Sequence, residues 1–157
     1  MKNTNILIAI LFLITGAMSA QDISKNALGL RVGDNDGFGG EISYQRYLDD
    51  NNRLEFDLGF RNSNNVDAFK LVGLYQWVNP LGEDGFNWYV GAGAGLGSFS
   101  TPGNDGTFFL AAANLGIEYN FDIPLLMSLD IRPELGFNDS YSDDLDFDIA
   151  LGIRYQF

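Results

Sequence analysis

The chain has 157 residues, nine Lys and Arg against 21 Asp and Glu, a formal net charge of −12, and neither His nor Cys. That charge, with no basic stripe interleaved with aromatics, argues against nucleic-acid binding. The missing Cys excludes a disulfide framework and a lipid-modified N-terminal cysteine, and the missing His and Cys exclude the base and thiol arrangements of most hydrolases.

Residues 1–20 read as a cleaved signal peptide. Lys2 supplies the positive start, Ile6 to Ile14 form an apolar run of nine residues, and Thr15 to Ala20 supply small residues for cleavage after Ser19 or Ala20. The run falls well short of the ~20 residues of a membrane-spanning helix. Residues 21–157 are then one domain with a net charge of −13.

From there, segments of period-two alternation recur between turn clusters, the pattern of strands with one apolar face. The first, Asn26 to Asp34, sets Leu28, Leu30 and Val32 against Gly29, Arg31 and Gly33. Gly37 to Leu48 sets Phe38, Ile42 and Tyr44 against Glu41, Ser43 and Gln45. Leu54, Phe56, Leu58 and Phe60 then face away from Arg53, Glu55, Asp57, Gly59 and Arg61. In Ala68 to Val78 the apolar face is Phe69, Leu71, Tyr75 and Trp77, with Lys70 and Gln76 behind it.

Asn87 to Gly97 carries Trp88, Val90, Ala92, Ala94 and Leu96 opposite Tyr89 and glycines at every second position from 91 to 97. Thr107 to Phe121 sets Phe109, Leu115, Ile117, Tyr119 and Phe121 against Asn114, Gly116, Glu118 and Asn120. Leu125 to Phe137 sets Met127, Leu129, Ile131, Leu135 and Phe137 against Ser128, Asp130, Arg132 and Glu134. Asp146 to Phe157 alternates most cleanly, with Phe147, Ile149, Leu151, Ile153, Tyr155 and Phe157 on one face and Asp148 and Arg154 on the other. Turn clusters rich in Asn, Asp, Gly and Pro, such as Asp34 to Gly37, Asn79 to Gly85, Ser100 to Gly106 and Asn138 to Asp144, separate the segments.

A soluble barrel turns the apolar set inward; a membrane barrel turns it outward. Three features favour the second. With the chain alternating up and down from a periplasmic start, Tyr44, Trp77, Trp88, Tyr119 and Tyr155 fall at one end and Phe38, Phe60, Phe69, Phe109, Phe137 and Phe147 near the other. That is the sorting a headgroup boundary imposes on rings with a polar tip. The polar face mixes signs: Arg31, Arg61, Lys70, Arg132 and Arg154 with Glu41, Glu55, Asp57, Glu118, Asp130, Glu134 and Asp148. Alternate glycines suit a crowded interior, where Val72, Leu74, Phe108 and Leu110 can fill the space they leave.

The closing segment, ending Arg154-Tyr155-Gln156-Phe157, resembles the last strand of bacterial outer-membrane β-barrels. The mature chain is similar in architecture to the small eight-stranded group that includes the OmpA transmembrane domain, OmpX, OmpW and small porin-family barrels. The resemblance implies an all-β, eight-stranded, antiparallel up-and-down transmembrane barrel in the outer membrane. Its partners would be lipid, lipopolysaccharide and the barrel-insertion machinery that reads the final Phe157. The chain departs from the group in its short loops and in lacking a peptidoglycan-binding domain after the barrel.

No cofactor, catalytic centre or metal site is expected. Gly33 to Gly37 lacks the acidic residues of an EF-hand at Val32 and Ser43. Glu55 and Asp57 read as partners of arginines more readily than as a hydrolytic pair. Asp139, Asp143 and Asp144 are candidates for loose binding of a divalent cation bridging lipopolysaccharide phosphates. The expectation is a non-enzymatic barrel with an ionic, largely sealed lumen and a structural or surface-interaction role. The alternatives are a narrow cation-preferring channel and a secreted soluble barrel with an apolar ligand inside.

Overall fold

A computed structural model describes residues 24–33, 39–63, 66–82, 84–137 and 145–157. The segment expected to be a signal peptide, Phe38, the Asp34 to Gly37 cluster and the loop acids Asp139, Asp143 and Asp144 lie outside these residues. The described strands are β1 (Asn26–Gly33), β2 (Gly40–Tyr47), β3 (Asn52–Ser63), β4 (Val66–Pro80), β5 (Phe86–Thr101), β6 (Asn104–Asn120), β7 (Leu125–Gly136) and β8 (Leu145–Gln156). Each pairs antiparallel with its neighbours in sequence, and β8 returns to β1 to close the barrel. Every strand expected from the alternation is present, and no helix occurs among the described residues.

Closure fixes a stagger. From Arg31, the register runs through Glu41, Gly59, Lys70 and Gly97 to meet β6 at Phe108. In the other direction it runs through Gly152 and Ser128 and meets β6 at Glu118, ten residues further along. Such a stagger tilts the strands and, with eight of them, leaves an interior that side chains can fill.

The strands are unequal. β1 and β2 have 8 residues each, whereas β4, β5 and β6 have 15, 16 and 17. The Ser100 to Gly106 cluster is therefore not a loop. Ser100 pairs with Asp105 and Thr101 with Asn104, leaving Pro102 and Gly103 as the turn. Proline presets the second turn position, and Gly103 has φ +92°, the left-handed backbone that the third position of a type II turn requires. Thr101 Oγ1 donates to the Asn104 carbonyl at 2.7 Å. On β7, Pro133 pairs with Phe147 of β8, while the ladder to β6 skips from Leu115–Ile131 to Ala112–Glu134 around it, as a residue without an N–H dictates.

Period two then decides the two faces. Phe56, Trp77 and Trp88 are 42%, 48% and 37% exposed, whereas Arg31, Arg53, Arg132 and Arg154 are at most 1% exposed. The apolar set is outside and the charges are inside. The soluble alternative, which needs an apolar lumen to receive its ligand, is therefore corrected: its would-be lining faces outward, and the lumen is filled mainly by ionic and polar side chains.

The four apolar exceptions are explained by the glycine wall. Val72, Leu74, Phe108 and Leu110 form a buried cluster with Ala112, packed by Ala68 and Phe99. A Cβ added at Gly97 would lie 2.4 Å from Phe108 Cζ, and one at Gly95 would lie 3.0 Å from Leu110 Cδ1. The same device recurs at Gly116, where a Cβ would come within 2.4 Å of Tyr89 Cζ. At these glycines the space of a missing side chain is taken by the residue paired with it on the adjacent strand.

Candidate functional site: a charged lumen and an aromatic belt

The inward charges gather into two groups along the barrel. The group nearer the end that holds the Pro102–Gly103 turn is organised by Arg31 and Arg132. Arg31 Nε and Nη2 donate to Asp130 Oδ1 at 3.1 and 2.6 Å, and Nη1 reaches Glu41 Oε2 at 3.0 Å and also Asp148. Arg132 donates from Nη2 to Glu41 Oε1 at 2.7 Å, from Nη1 to Asp57 Oδ2 at 2.9 Å, and from Nε to Glu134 Oε1 at 2.7 Å. Lys70 Nζ donates to both oxygens of Glu134 at 3.0 Å. Glu41 thus lies between two guanidinium groups, with the Lys70 ammonium 3.6 Å away.

Nearer the end that holds Asn26 and Phe157, Arg53 and Arg154 organise the second group. Arg53 Nη1 forms an ion pair with Glu118 Oε2 at 2.7 Å, although the pair lacks hydrogen-bond alignment. Its Nε donates to Gln76 Oε1 at 2.5 Å, and its guanidinium lies 4.7 Å from the Tyr89 ring centroid and 5.6 Å from that of Tyr47. Arg154 Nε and Nη1 donate to Ser43 Oγ at 2.9 Å and Ser128 Oγ at 2.8 Å, with Nη2 3.4 Å from Glu55 Oε2. Gln45 Nε2 donates to that same Glu55 oxygen. The Tyr89 hydroxyl donates to Asp130 Oδ2 at 3.1 Å and ties the two groups together.

Of the twelve lumen residues expected from the sequence, eleven are buried in these two groups: Arg31, Glu41, Glu55, Asp57, Lys70, Glu118, Asp130, Arg132, Glu134, Asp148 and Arg154. Arg61 is the correction. It shares the inward parity of β3 but is exposed toward the end that holds the Pro102–Gly103 turn, beside the open cleft between Phe60, Asp67 and Phe99, of about 870 Å³. The cation that takes its place is Arg53, on the same face of the same strand. Parity selects both; only height along the barrel separates them. The neutral partners Ser43, Gln45, Gln76, Tyr89 and Ser128 were also missed as site residues, because pairing across the lumen leaves no mark on local alternation.

On the outer face, Tyr44, Trp77, Trp88, Tyr119 and Tyr155 lie at the end that holds Asn26 and Phe157. The Tyr44 hydroxyl donates to Asn26 Oδ1 at 2.8 Å. Tyr119 packs against Phe86 at 4.5 Å and Phe121 at 4.6 Å, and Tyr155 stacks with Phe157 at 6.4 Å. Phe157 is fixed by its backbone, donating to the Asn26 carbonyl at 2.9 Å and accepting from Asn26 N–H at 3.1 Å. Toward the other end, Phe60, Phe69, Phe109, Phe137 and Phe147 are exposed. Beyond Phe60, Phe69 and Phe109 the outward residues become Asn62, Asp67 and Thr107, which marks the upper edge of the apolar band.

No family model and no curated protein matches the sequence. The fold, by contrast, is shared with solved structures. The N-terminal β-barrel domain of Pseudomonas aeruginosa OprF is 14% identical, with a TM-score of 0.65 over 84% of this chain and 96% of that one. Neisserial surface protein A is 13% identical, with a TM-score of 0.60 over 84% and 94%. The attachment invasion locus protein Ail of Yersinia pestis is 17% identical, with a TM-score of 0.55 over 84% and 96%. The chain has the fold of the small eight-stranded outer-membrane barrels.

Proposed function

We propose that this protein is a non-enzymatic integral outer-membrane barrel whose two ionic groups seal the lumen, and whose role is structural or surface interaction. The observation that carries this reading is the inversion of faces. Large apolar residues ring the outside, and the interior charges are withdrawn from solvent into ion pairs. Such a surface is stable only against lipid tails, and such an interior is stable only when its groups satisfy one another.

In this reading, residues 1–20 direct export and are removed, and Phe157 with the belt at Tyr44, Trp77, Trp88, Tyr119 and Tyr155 sets the protein in the membrane. Lipid and lipopolysaccharide are the partners of the outer face, and the insertion machinery is the partner of the closing strand. Fractionation with the outer membrane, together with heat-dependent gel mobility, is the expected result. Mature protein that folds in buffer without detergent would overturn it.

A second reading is favoured by one observation: the interior buries seven carboxylates and five cations. If the lumen opens, that excess selects cations. Planar-bilayer recording separates the two readings: a silent barrel supports the sealed form, and a stable, cation-selective step supports the channel.

A further inference from the structure

Nine cations serve a chain of 21 acids, and their placement is uneven. Five are buried in the lumen: Arg31, Arg53, Lys70, Arg132 and Arg154. Lys2 lies in the expected signal peptide, Lys25 precedes β1, and Arg61 has inward parity toward the Pro102–Gly103 end. Among the described residues, Arg46 is the one cation with the outward parity of its strand. It continues the face of β2 that carries Ile42 and Tyr44, opposite the buried Glu41, Ser43 and Gln45. It has no hydrogen-bond or ion-pair partner among those residues.

The register sets Arg46 at the foot of a groove. Arg46 faces Asn26 of β1, and Asn26 is hydrogen-bonded to Phe157 at the end of β8. One outward step along, Leu28 of β1 stands between Tyr44 of β2 and Tyr155 of β8, and Tyr155 pairs in turn with Leu125 of β7. From there Leu28, Leu30 and Val32 on one side and Leu125, Ile153 and Tyr155 on the other line a groove of about 410 Å³ along the closing seam. Its floor is main chain: a Cβ at Gly29 would collide with the Ile153 carbonyl and with Arg154 Cα.

An apolar slot open to hydrocarbon, with a guanidinium and a phenol at its foot, has the chemistry of a phospholipid. An acyl chain satisfies the slot, and a phosphodiester satisfies Arg46, because a guanidinium fork matches phosphate oxygens. The Tyr155 hydroxyl, which has no partner among the described residues, can donate to the same headgroup. We propose that the β1–β8 seam binds one anionic glycerophospholipid, with its phosphate on Arg46 and one acyl chain in the groove from Leu28 to Val32. Lys25, exposed and joined through its carbonyl to the Tyr47 N–H at 2.8 Å, adds positive charge beside Arg46 and favours an anionic headgroup over a zwitterionic one. The other strands meet lipid with no outward cation beneath them, so a chain there is held by contact alone. The bound lipid would lie across the one junction that joins strands distant in sequence. The proposal rests on the barrel reading above, in which the Asn26–Phe157 end faces the periplasm and its leaflet is phospholipid, not lipopolysaccharide.

The test is native mass spectrometry of the full barrel refolded in detergent and titrated with dioleoyl phosphatidylglycerol, with gel mobility reporting the fold of each variant. Wild type should keep one lipid at collision energies that strip the rest, and keep phosphatidylglycerol better than phosphatidylcholine. Arg46→Gln should lower the retained fraction about tenfold. Leu30→Trp, which fills the groove, should remove the retained lipid. Ile117→Trp, on the exposed face of β6 away from the seam, should leave it unchanged. No retained lipid in wild type overturns the proposal, and so does equal retention by Arg46→Gln or equal loss from the two tryptophan variants. Equal retention of phosphatidylcholine, or equal binding of glycerophosphoglycerol without its chains, overturns it too. A barrel that folds in detergent and retains no lipid defeats this proposal alone; a chain that folds in buffer without detergent defeats the barrel reading beneath it.

Discussion

Around Arg31 and Arg132 the lumen is filled by groups that need one another's charge. Along the glycine wall of β5 it is filled by Val72, Leu74, Phe108 and Leu110, which need only one another's shape. Both fillings exclude water, but they fail differently. Removing one member of an ionic group leaves its partners charged and buried. Adding one methyl to the glycine wall leaves every charge paired and simply runs out of room. The first part specifies the interior by complementarity of sign, the second by complementarity of volume.

The largest expected effect lies on the ionic side. Arg132→Ala leaves Asp57 without its cation and takes one partner each from Glu41 and Glu134, and should cost about 3–5 kcal/mol, measured by urea unfolding with the gel-mobility shift as readout. A loss of only a few tenths would show that water already reaches these carboxylates, and the contrast between the two parts would disappear. Gly97→Ala should cost less, about 1–3 kcal/mol by the same measurement, because the new methyl meets the Phe108 ring and the Phe69 carbonyl. Pairing it with Phe108→Leu should recover part of the loss. If it recovers nothing, the backbone contact alone decides and the ring is not what the glycine accommodates.

The smallest effect lies outside the membrane and serves as a reference for solvated charge. In the β2–β3 turn, Asp49 accepts from the Asn52 side chain at 2.8 Å and from the backbone N–H groups of Asn51 and Asn52 at 3.0 and 2.9 Å. Those donors, the Asn52 amide first, hold its carboxyl below the ordinary carboxylate range. A lowered folded value means the turn's contribution is present at neutral pH and is lost as pH falls through that folded value. Asp49→Ala should therefore lower stability slightly and by a constant amount at neutral and alkaline pH, and make no difference once pH is below that folded value. A large effect would show that an exposed turn charge matters as much as a buried one.

Much of this architecture was legible in the sequence because period two carries the decisive information. Once Trp77 and Trp88 are assigned to lipid, the parity of β4 and β5 puts Lys70 and Tyr89 inside. Parity says nothing of height, however. Arg53 and Arg61 look alike on β3, and only the ten-residue closing stagger places one in the lumen and the other at the rim. The same stagger draws β5 and β6 past Ser100 and Asp105, residues whose composition reads as a loop. Pairings such as Arg31 with Asp130, 99 residues apart, belong to the closed tube and to no segment of it.

The seam where Phe157 meets Asn26 orders the assembly. Seven of the eight strand pairings join neighbours in sequence, so each can zip from its own hairpin; only the pairing of β1 with β8 must bring together residues 131 apart. Its entropic toll grows slowly with length, but no shorter contact prepares the way for it. Until it forms, the molecule is a ribbon with two raw hydrogen-bonding margins, a shape that hydrocarbon does not tolerate. Latching the final strand onto the first is therefore the committing event, the step that turns a chain of hairpins into a membrane-resident cylinder.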